Sequence, residues 1–357
     1  MAEIDPFVRV VWRDALETGL DGCGWPLEQL AAPYDRLPAN ARGKVTDAVW
    51  NLSHESAGIG VRFATDATAV FARYSLAGDS EVASHPWTSH SQTRVASGGL
   101  DCYALDRDTW RWVGNIVPWR ASPIDGAFHQ SMSPLEQGLR SFHVYLPLRN
   151  AVTKLEIGVD RDAAFEPLTR GGEKPIAWYG TSIVHGMAAS RPGMTHAAIM
   201  GRRLQREIIN LGFAGSARSE PDLARVLAEL DPCMFVLDPV PNMNAELIDE
   251  RMFEFISILR TARPQTPIML IEDRINTDSW INHERLRHHA ANRDALTSVY
   301  RQCLAVGMTN LHYVPGAALL GDDNEASVDG SHPTDLGFMR QADYLEPFFR
   351  KVLAADR

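Results

Sequence analysis

The chain has 357 residues, of which 45% are hydrophobic and 22% charged, and its 26 Gly and 21 Pro are ordinary for a globular protein. This composition excludes a disordered or collagen-like chain, and the length predicts two domains that each bury a core. The formal charge of -10, from 35 Lys plus Arg against 45 Asp plus Glu, excludes the basic surface that most nucleic-acid-binding proteins need.

The sequence carries no signal for a membrane span or for export. No stretch approaches the roughly 18 consecutive apolar residues of a transmembrane helix. The first six residues contain two acids where a signal peptide has positive charge followed by an apolar run. The cysteines lie far apart without a Cys-x-x-Cys pair, and we interpret all four as reduced, inert thiols: Cys23, Cys102, Cys233 and Cys303. We therefore expect a cytoplasmic protein with neither membrane nor nucleic acid as a partner.

The first half of the chain has the pattern of an antiparallel β domain. Short β-rich segments, separated by Gly, Ser, Asp and Pro, occur at residues 61–63, 69–74, 143–146 and 154–157. They predict a β-sandwich, jelly-roll-like, over residues 1–166. Seven of the nine Trp lie in this half, and we favour a core position for most of them over a platform for sugar rings. A turn-rich stretch at residues 167–175 is the predicted linker.

In residues 176–357 short apolar runs alternate with helical stretches. Predicted strands occupy residues 176–179, 208–211, 234–237, 268–271 and 311–314. Predicted helices occupy residues 195–206, 220–230, 245–261, a long stretch into Val306, and 334–352. Alternating strands and helices predict a parallel sheet with helices on both faces, and such sheets bind ligands at the carboxyl ends of their strands.

Candidate site residues follow three of these strands. Ser182 lies in a turn between two glycines, where it is either an exposed nucleophile or an ordinary helix-capping serine. Gly215 lies in a Gly-rich turn whose N–H groups either face an anion or only make a tight connection. Asn242 either donates to an oxyanion or caps the next helix.

Asp329 and His332 lie three residues apart, before the last predicted helix. A serine hydroxyl needs a base to remove its proton, His titrates near neutral pH, and a carboxylate orients and stabilises the imidazole. Asp-x-x-His alone is a common match in a chain with 12 His. The order Ser, Gly, Asn and Asp-x-x-His, with each motif near a predicted strand end or in a loop beside it, is a much stronger signal.

In order and content these motifs resemble the SGNH (GDSL-type) hydrolases. The resemblance implies a flavodoxin-like α/β hydrolase domain with Ser182 as nucleophile, His332 as general base and acid, and Asp329 orienting the imidazole. It also implies an oxyanion hole formed by the Ser182 amide, the Gly215 amide and the Asn242 side chain. No cofactor is implied.

The sequence is most similar to a bacterial subfamily in which a β-rich domain with a Gly-x-Asp-Leu-Tyr motif precedes the esterase domain. This chain has Gly99-Leu100-Asp101-Cys102-Tyr103, with Cys in place of Leu; another subfamily mark is Arg36-Leu37-Pro38. Two departures from the wider superfamily, Thr181 before the serine and Ser216 after Gly215, bear on geometry and substrate preference. They leave the implied reaction class intact.

Three further residues are weaker candidates for substrate contacts. His185 either meets the substrate or lies on a helix face, and Glu272 either lines the pocket or caps the following segment. Arg191 either holds a substrate hydroxyl or carboxylate or, as we favour, braces the domain interface. We expect no metal, because no Cys or carboxylate lies between His85 and His90.

The resemblance implies a serine esterase that works through an acyl-enzyme. The expected substrate is a short acyl ester of a carbohydrate or other small polar molecule, with acetyl favoured because no long apolar lid is evident. An acyltransferase, thioesterase or lactonase with the same triad is an alternative, as is a non-catalytic carbohydrate-binding protein. The sequence is also compatible with a homo-oligomer.

Overall fold

The computed structural model describes residues 9–77, 92–119, 122–133, 138–168 and 172–355. Two antiparallel sheets lie before residue 168, and one parallel sheet lies after residue 175. Within the described ranges, no helix is long and apolar enough to cross a membrane. The cytoplasmic location stays a prediction.

The N-terminal half forms two antiparallel sheets around one core, as predicted. Its strands are β1 (Val10–Asp14), β2 (Leu20–Asp21), β3 (Gly60–Thr65), β4 (Val70–Leu76), β5 (Leu100–Asp106), β6 (Thr109–Ile116), β7 (Ile124–His129), β8 (Arg140–Tyr145), β9 (Val152–Asp160) and β10 (Phe165–Pro167). Its helices are α1 (Ala15–Thr18), α2 (Asp47–Ser53) and α3 (Arg94–Gly98), with 3-10 turns at Leu27–Gln29 and Ala39–Ala41. The sheet orders are β1-β9-β4-β7 and β10-β3-β8-β5-β6, with β2 also paired to β3.

Side chains from both sheets meet in a single hydrophobic cluster. Every second residue of β5 and β9 points into it, namely Leu100, Cys102, Ala104, Leu155, Ile157 and Val159. This period of two is the pattern expected of strands that bury one face. The antiparallel β-sandwich is therefore confirmed, and its jelly-roll-like connectivity stays a prediction.

The described tryptophans of this half do not form the core of the sandwich, so the favoured prediction, a core position for most of the seven, was wrong. Trp25 is buried, but it packs against the parallel sheet. Trp112 and Trp119 are 50% and 73% exposed, and the Trp12 ring is covered by an arginine guanidinium 4.5 Å from its centroid. Trp is large and often keeps part of its ring at the surface. Trp87 lies outside the described residues.

The C-terminal half contains a five-stranded parallel sheet covered by helices on both faces, as predicted. Its strands are β11 (Ile176–Gly180), β12 (Ile208–Gly212), β13 (Met234–Asp238), β14 (Ile268–Ile271) and β15 (Leu311–Val314). Its helices are α4 (Ser182–His185), α5 (His196–Leu204), α6 (Pro221–Leu227), α7 (Ala245–Ala262), α8 (His283–Ala305) and α9 (Asp335–Ala355), with 3-10 turns at Pro192–Met194 and Val240–Asn242. In the strand order β12-β11-β13-β14-β15, the second strand lies on one side of β11 and the later strands lie on its other side. This is the flavodoxin-like arrangement.

The carboxyl ends of three neighbouring strands finish at the same level. Gly180 of β11 is in register with Gly212 of β12 on one side and with Asp238 of β13 on the other. A Cβ on Gly212 would lie 2.2 Å from the His185 amide nitrogen, and one on Gly180 would lie 2.4 Å from Val184 Cγ2. Glycine at both positions therefore lets α4 pack directly onto the end of the sheet.

A segment before β3 packs against the parallel sheet as well as belonging to the N-terminal half. Trp25, Leu37 and Val49 lie in the same buried cluster as the residues of β12 and α6. The fully buried Arg36 guanidinium donates to the carbonyl oxygens of Asn210 and Gly212 on the edge strand β12, at 3.2 and 2.6 Å. This segment therefore covers the exposed edge of the parallel sheet.

Candidate active site

Ser182 lies at the first position of α4, immediately after β11. The cap of this helix is Thr181, whose Oγ1 accepts from the Ile183 amide at 3.2 Å. The capping role that was the alternative for Ser182 is therefore filled by its neighbour. Gly186, with φ +105, ends the helix after one turn, and Ser182 remains 9% exposed.

The structure brings Ser182, His332 and Asp329 together in one hydrogen-bonded chain. Ser182 Oγ lies 2.8 Å from His332 Nε2, and His332 Nδ1 lies 2.6 Å from Asp329 Oδ2. Since the carboxylate can only accept, Nδ1 carries the proton and Nε2 faces the serine as an acceptor. The predicted triad residues are thus arranged as a nucleophile, a base and its orienting carboxylate.

Asp329 is itself held in place by the backbone of its own loop. Its Oδ1 accepts from the amides of Ser331 and His332 at 3.0 and 2.8 Å. Burial raises the pKa of this carboxyl, but the hydrogen bonds from the His332 amide and ring outweigh burial and hold it below its usual range. Asp329 therefore stays ionised at neutral pH, as an orienting carboxylate must.

Asn242 lies against the Gly-rich turn that contains Gly215. In the amide orientation that satisfies both of its ends, its oxygen accepts from the amides of Gly215, Ser216 and Ala217, each at 3.3 Å. Its Nδ2 group is then the donor end of the side chain. Gly215 has φ +71, a left-handed conformation that glycine adopts without strain.

The helix that follows is capped by a different asparagine. Asn244 Oδ1 accepts from the Leu247 amide at 3.0 Å, at the start of α7. The capping role considered for Asn242 therefore belongs to Asn244, and Asn242 remains beside the Gly215 turn.

His185 does not reach the substrate side of the site, so the predicted contact is not supported. The side chain is fully buried, and its Nε2 lies 2.7 Å from the Leu148 carbonyl oxygen and 2.9 Å from Glu55 Oε2. Burial, together with the positive charge of Arg36, lowers its pKa to about 4. His185 is a buried contact to the N-terminal half.

Arg191 and Glu272 are also held by protein groups. Arg191 pairs with Asp101 at 3.0 Å and donates to the Tyr103 hydroxyl, which is the interface role that we favoured. Glu272 accepts from the Tyr313 hydroxyl at 2.8 Å and from the Gly316 amide at 2.6 Å. Both of its oxygens therefore brace the ends of β14 and β15 rather than line a pocket.

A buried ion pair that the sequence analysis missed lies beneath the site. Arg274 donates through both Nη groups to Asp238, at 2.7 Å each, and both side chains are almost completely buried. Asp238 is the last residue of β13, so the search for polar residues at strand ends could have identified it. Arg274 had no sequence signal, because its partner lies 36 residues earlier.

Around this pair, the loop after β14 supports the loop that carries Asp329. The Thr277 amide donates to the Gly330 carbonyl at 2.9 Å, and buried Asp273 contacts His289 at 2.5 Å. In the described ranges, no group of three or more His, Cys, Asp or Glu is placed to hold a metal. His85 and His90 lie outside those ranges, so the absence of a metal stays a prediction.

With this geometry established, comparison with known proteins shows the class of the chain. A model of the GDSL-like lipase/acylhydrolase family matches residues 173–350, and a model of the GxDLY type, described as the N-terminus of SGNH-hydrolase-type esterases, matches residues 10–165. The chain belongs to this GDSL-like lipase/acylhydrolase family. The resemblance inferred from the sequence motifs is thereby confirmed.

Solved structures agree over nearly the whole chain. A protein described as a GDSL-like lipase from Bacteroides ovatus is 28% identical, with a TM-score of 0.88 over 97% of this chain and 98% of its own. A salicylyl-acyltransferase from a tetracycline biosynthetic pathway is 18% identical, with a TM-score of 0.72 over 99% and 96%. An acetyl xylan esterase from Butyrivibrio proteoclasticus is 10% identical, with a TM-score of 0.59 over 97% and 99%. The last two show the fold alone. A search of curated proteins gave no match.

Proposed function

We propose that this protein is a serine esterase that removes short acyl groups, acetyl in particular, from a carbohydrate or other small polar molecule. The observation that carries the proposal is the hydrogen-bonded chain of Ser182, His332 and Asp329 at the carboxyl end of the parallel sheet. Membership of a family of acylhydrolases supports the reaction class. The fold shared with an acetyl xylan esterase supports the choice of substrate class.

The proposed reaction proceeds through an acyl-enzyme. Ser182 Oγ attacks the ester carbonyl while His332 Nε2 takes its proton, and Asp329 stabilises the imidazolium that forms. The same imidazole protonates the departing alcohol. It then takes a proton from water, which attacks the acyl-enzyme, and it returns that proton to Ser182 as the acid leaves.

The proposed oxyanion hole consists of the Ser182 amide, the Gly215 amide and Asn242 Nδ2. The 3.3 Å hydrogen bond from the Gly215 amide to the Asn242 oxygen is long. A negatively charged oxygen is a stronger acceptor than a neutral amide oxygen. We therefore expect a developing oxyanion to compete for the Gly215 amide as the tetrahedral intermediate forms.

Acyl transfer to an alcohol is the second candidate, with the same triad and the same acyl-enzyme. It is favoured by the likeness to a salicylyl-acyltransferase, which extends over 99% of this chain. The two reactions differ only in whether water or another hydroxyl accepts the acyl group. A thioesterase or lactonase would differ in the leaving group.

The first test is hydrolysis of 4-nitrophenyl acetate, butyrate and octanoate by the wild type, by Ser182→Ala and by a control, Ser257→Ala. Ser257 is on α7 and its hydroxyl donates back to the Phe253 carbonyl of the same helix, so the control should behave as the wild type. The expected result is activity that falls with chain length and is lost in Ser182→Ala. Equal rates for the wild type and Ser182→Ala, with both folded by circular dichroism, would refute the proposal.

A second measurement separates esterase from acyltransferase. The same reactions are run with and without glycerol as an acceptor, and the products are identified by mass spectrometry. Free acetate as the main product in both cases supports the esterase. Glyceryl acetate as the main product in the presence of glycerol would instead show that the protein is an acyltransferase.

A further inference from the structure

Asp101, in the Gly-x-Asp-Leu-Tyr motif, reaches from the N-terminal half into the hydrolase half. Its side chain is fully buried in β5, and Oδ2 accepts from the Gly193 amide at 2.9 Å and from Arg191 Nη1 at 3.0 Å. Its Oδ1 accepts from Trp112 Nε1 at 2.9 Å. The buried carboxylate therefore has three donors, two of them from the segment that follows the proposed nucleophile.

Tyr103, two residues further along the same strand, contacts the same segment, which contains Arg191 and Gly193. Its hydroxyl donates to the Gly193 carbonyl oxygen at 3.4 Å and accepts from Arg191, while the Arg202 guanidinium lies 3.9 Å from its ring centroid. A Cβ on Gly193 would lie 2.3 Å from Tyr103 Cε2 and 2.8 Å from Asp101 Oδ2. The Asp and Tyr of the motif thus enclose a glycine on the other half of the protein.

The enclosed segment, residues 186–194, continues directly from the helix that carries Ser182. The Gly186 amide donates back to the Ser182 carbonyl oxygen at 3.0 Å, which closes the turn of α4. The Gln92 side chain donates to the Gly186 carbonyl and accepts from the Ala188 amide, both at 3.3 Å. The N-terminal half therefore holds residues 186–194 at both the beginning and the end.

The same segment also contacts the element that carries His332. The Ser190 amide and hydroxyl donate to the two carboxylate oxygens of Asp335, at 2.8 and 2.5 Å. Asp335 is the first residue of α9, three residues after His332. On the other side, Thr93 Oγ1 donates to the Ser190 carbonyl at 2.5 Å. Ser190 therefore links the N-terminal half to the start of α9.

We propose that Asp101 and Tyr103 are positioning residues for the active site, and that this is the role of the Gly-x-Asp-Leu-Tyr motif. They fix the position of residues 186–194. The hydrogen bonds from Ser190 to Asp335 then fix the position of His332 relative to Ser182. The inference rests on the proposed function, since it needs Ser182 and His332 to be the reacting pair. A displacement of about 1 Å in a catalytic group costs roughly 100-fold in rate, so a contact outside the site can control turnover.

The test compares Asp101→Asn and Ser190→Ala with Asp106→Asn as a matched control. Asp106 is on the same strand, but its carboxylate is exposed and pairs with exposed Arg111, so its loss should not change kcat. For Asp101→Asn we expect kcat to fall roughly 10- to 100-fold, and for Ser190→Ala roughly 3- to 10-fold, with KM within about two-fold of wild type. The double variant should fall less than the product of the single effects, because both changes interrupt the same contacts.

A second readout does not depend on the choice of substrate. The rate at which a fluorophosphonate probe labels Ser182 should fall in parallel with kcat, because this reaction also needs His332 as the base. Thermal melting reports folding for each variant. If Asp101→Asn does not fold, Ser190→Ala decides the outcome, because it removes one hydroxyl and keeps the backbone contact.

The outcomes separate this inference from the proposed function. No labelling and no hydrolysis by the folded wild type would remove the proposed function and this inference with it. An active, labelled wild type, with Asp101→Asn and Ser190→Ala lower in melting temperature but unchanged in kcat and labelling rate, would overturn the inference alone. The motif would then serve only to hold the two halves together.

Discussion

Mild acid should destabilise this protein through His185, the fully buried histidine at the end of α4. Its Nε2 carries the proton toward the Leu148 carbonyl and Glu55, while its Nδ1 is buried with no hydrogen-bond partner among the described residues. A second proton would have to be placed on Nδ1. Burial, with the nearby positive charges of Arg36 and Arg149, therefore lowers the pKa of His185 from 6.5 to about 4.

The direction of the change in stability with pH depends on which state, folded or unfolded, binds more protons. Between pH 6.5 and pH 4 the unfolded chain binds a proton on this imidazole and the folded chain does not, so the free energy of unfolding falls as the pH falls. With these two pKa values, His185 alone costs about 2 kcal/mol on going from pH 7 to pH 5, and about 3 kcal/mol by pH 4. His196, also fully buried with a lowered pKa, adds a loss of the same sign.

Glu55 does not cancel this effect. Burial raises the pKa of this carboxyl, but the hydrogen bond from His185 and the nearby arginines outweigh burial and hold it below its usual range. Glu55 is therefore ionised in both the folded and the unfolded chain between pH 7 and about pH 5, because an unperturbed Glu titrates near 4.3.

The assay is urea unfolding of the wild type, His185→Gln and a control, His283→Gln, at several pH values from 7 to 5. Glutamine keeps a donor for Leu148 but does not titrate, so His185→Gln should lose about 2 kcal/mol less than the wild type over this range. His283, an exposed histidine, is the position of the matched control substitution. A difference between wild type and His185→Gln that stays constant within about 0.5 kcal/mol from pH 7 to pH 5 would refute the reasoning.

Two further substitutions test the site and its support. Asn242→Ala should lower kcat about 100- to 1000-fold with the fold intact, whereas Asn244→Ala should leave kcat unchanged and cost about 1 kcal/mol of stability in urea unfolding, because it removes only a helix cap. Equal activity of the two variants would contradict the proposed role of Asn242 in the oxyanion hole. Arg36→Lys should lower the free energy of unfolding by roughly 2 to 4 kcal/mol, because a buried ammonium cannot replace a guanidinium that donates to four carbonyl oxygens. The control is Arg42→Lys, at an exposed position. A loss no larger than that of the control would show that Arg36 is dispensable.

The strands and helices of the parallel sheet could be predicted because their signals are local. Helix α7 was predicted at residues 245–261 and is Ala245–Ala262, and strand β14 was predicted at 268–271 and is Ile268–Ile271. The apolar runs report burial on both faces of the sheet, and the strand ends then mark the carboxyl edge. Ser182 and Asn242 could be found for this reason.

The contacts that Arg36 and Asp101 make could not be predicted, because their partners are remote in sequence. Arg36 donates to a carbonyl 176 residues away, and Asp101 accepts from an amide 92 residues away. Neither contact leaves a periodicity or a spacing in the sequence. Whether Asn242 caps α7 was equally open, because the answer depends on where α7 begins to within two residues, and the cap proved to be Asn244.

The family models divide the chain near residue 170, but the buried core is not divided there. The model for the hydrolase half begins at residue 173, yet Trp25, Leu37 and Val49 complete the hydrophobic cluster on one face of its sheet. Arg36 satisfies carbonyl oxygens of the edge strand β12 that would otherwise face solvent. Ser182, His332 and Asp329 all come from the hydrolase half, whereas the other half contributes contacts to residues 186–194 from Gln92, Thr93, Asp101 and Tyr103. The proposed active site therefore takes its reacting residues from one half of the chain and part of its supporting contacts from the other.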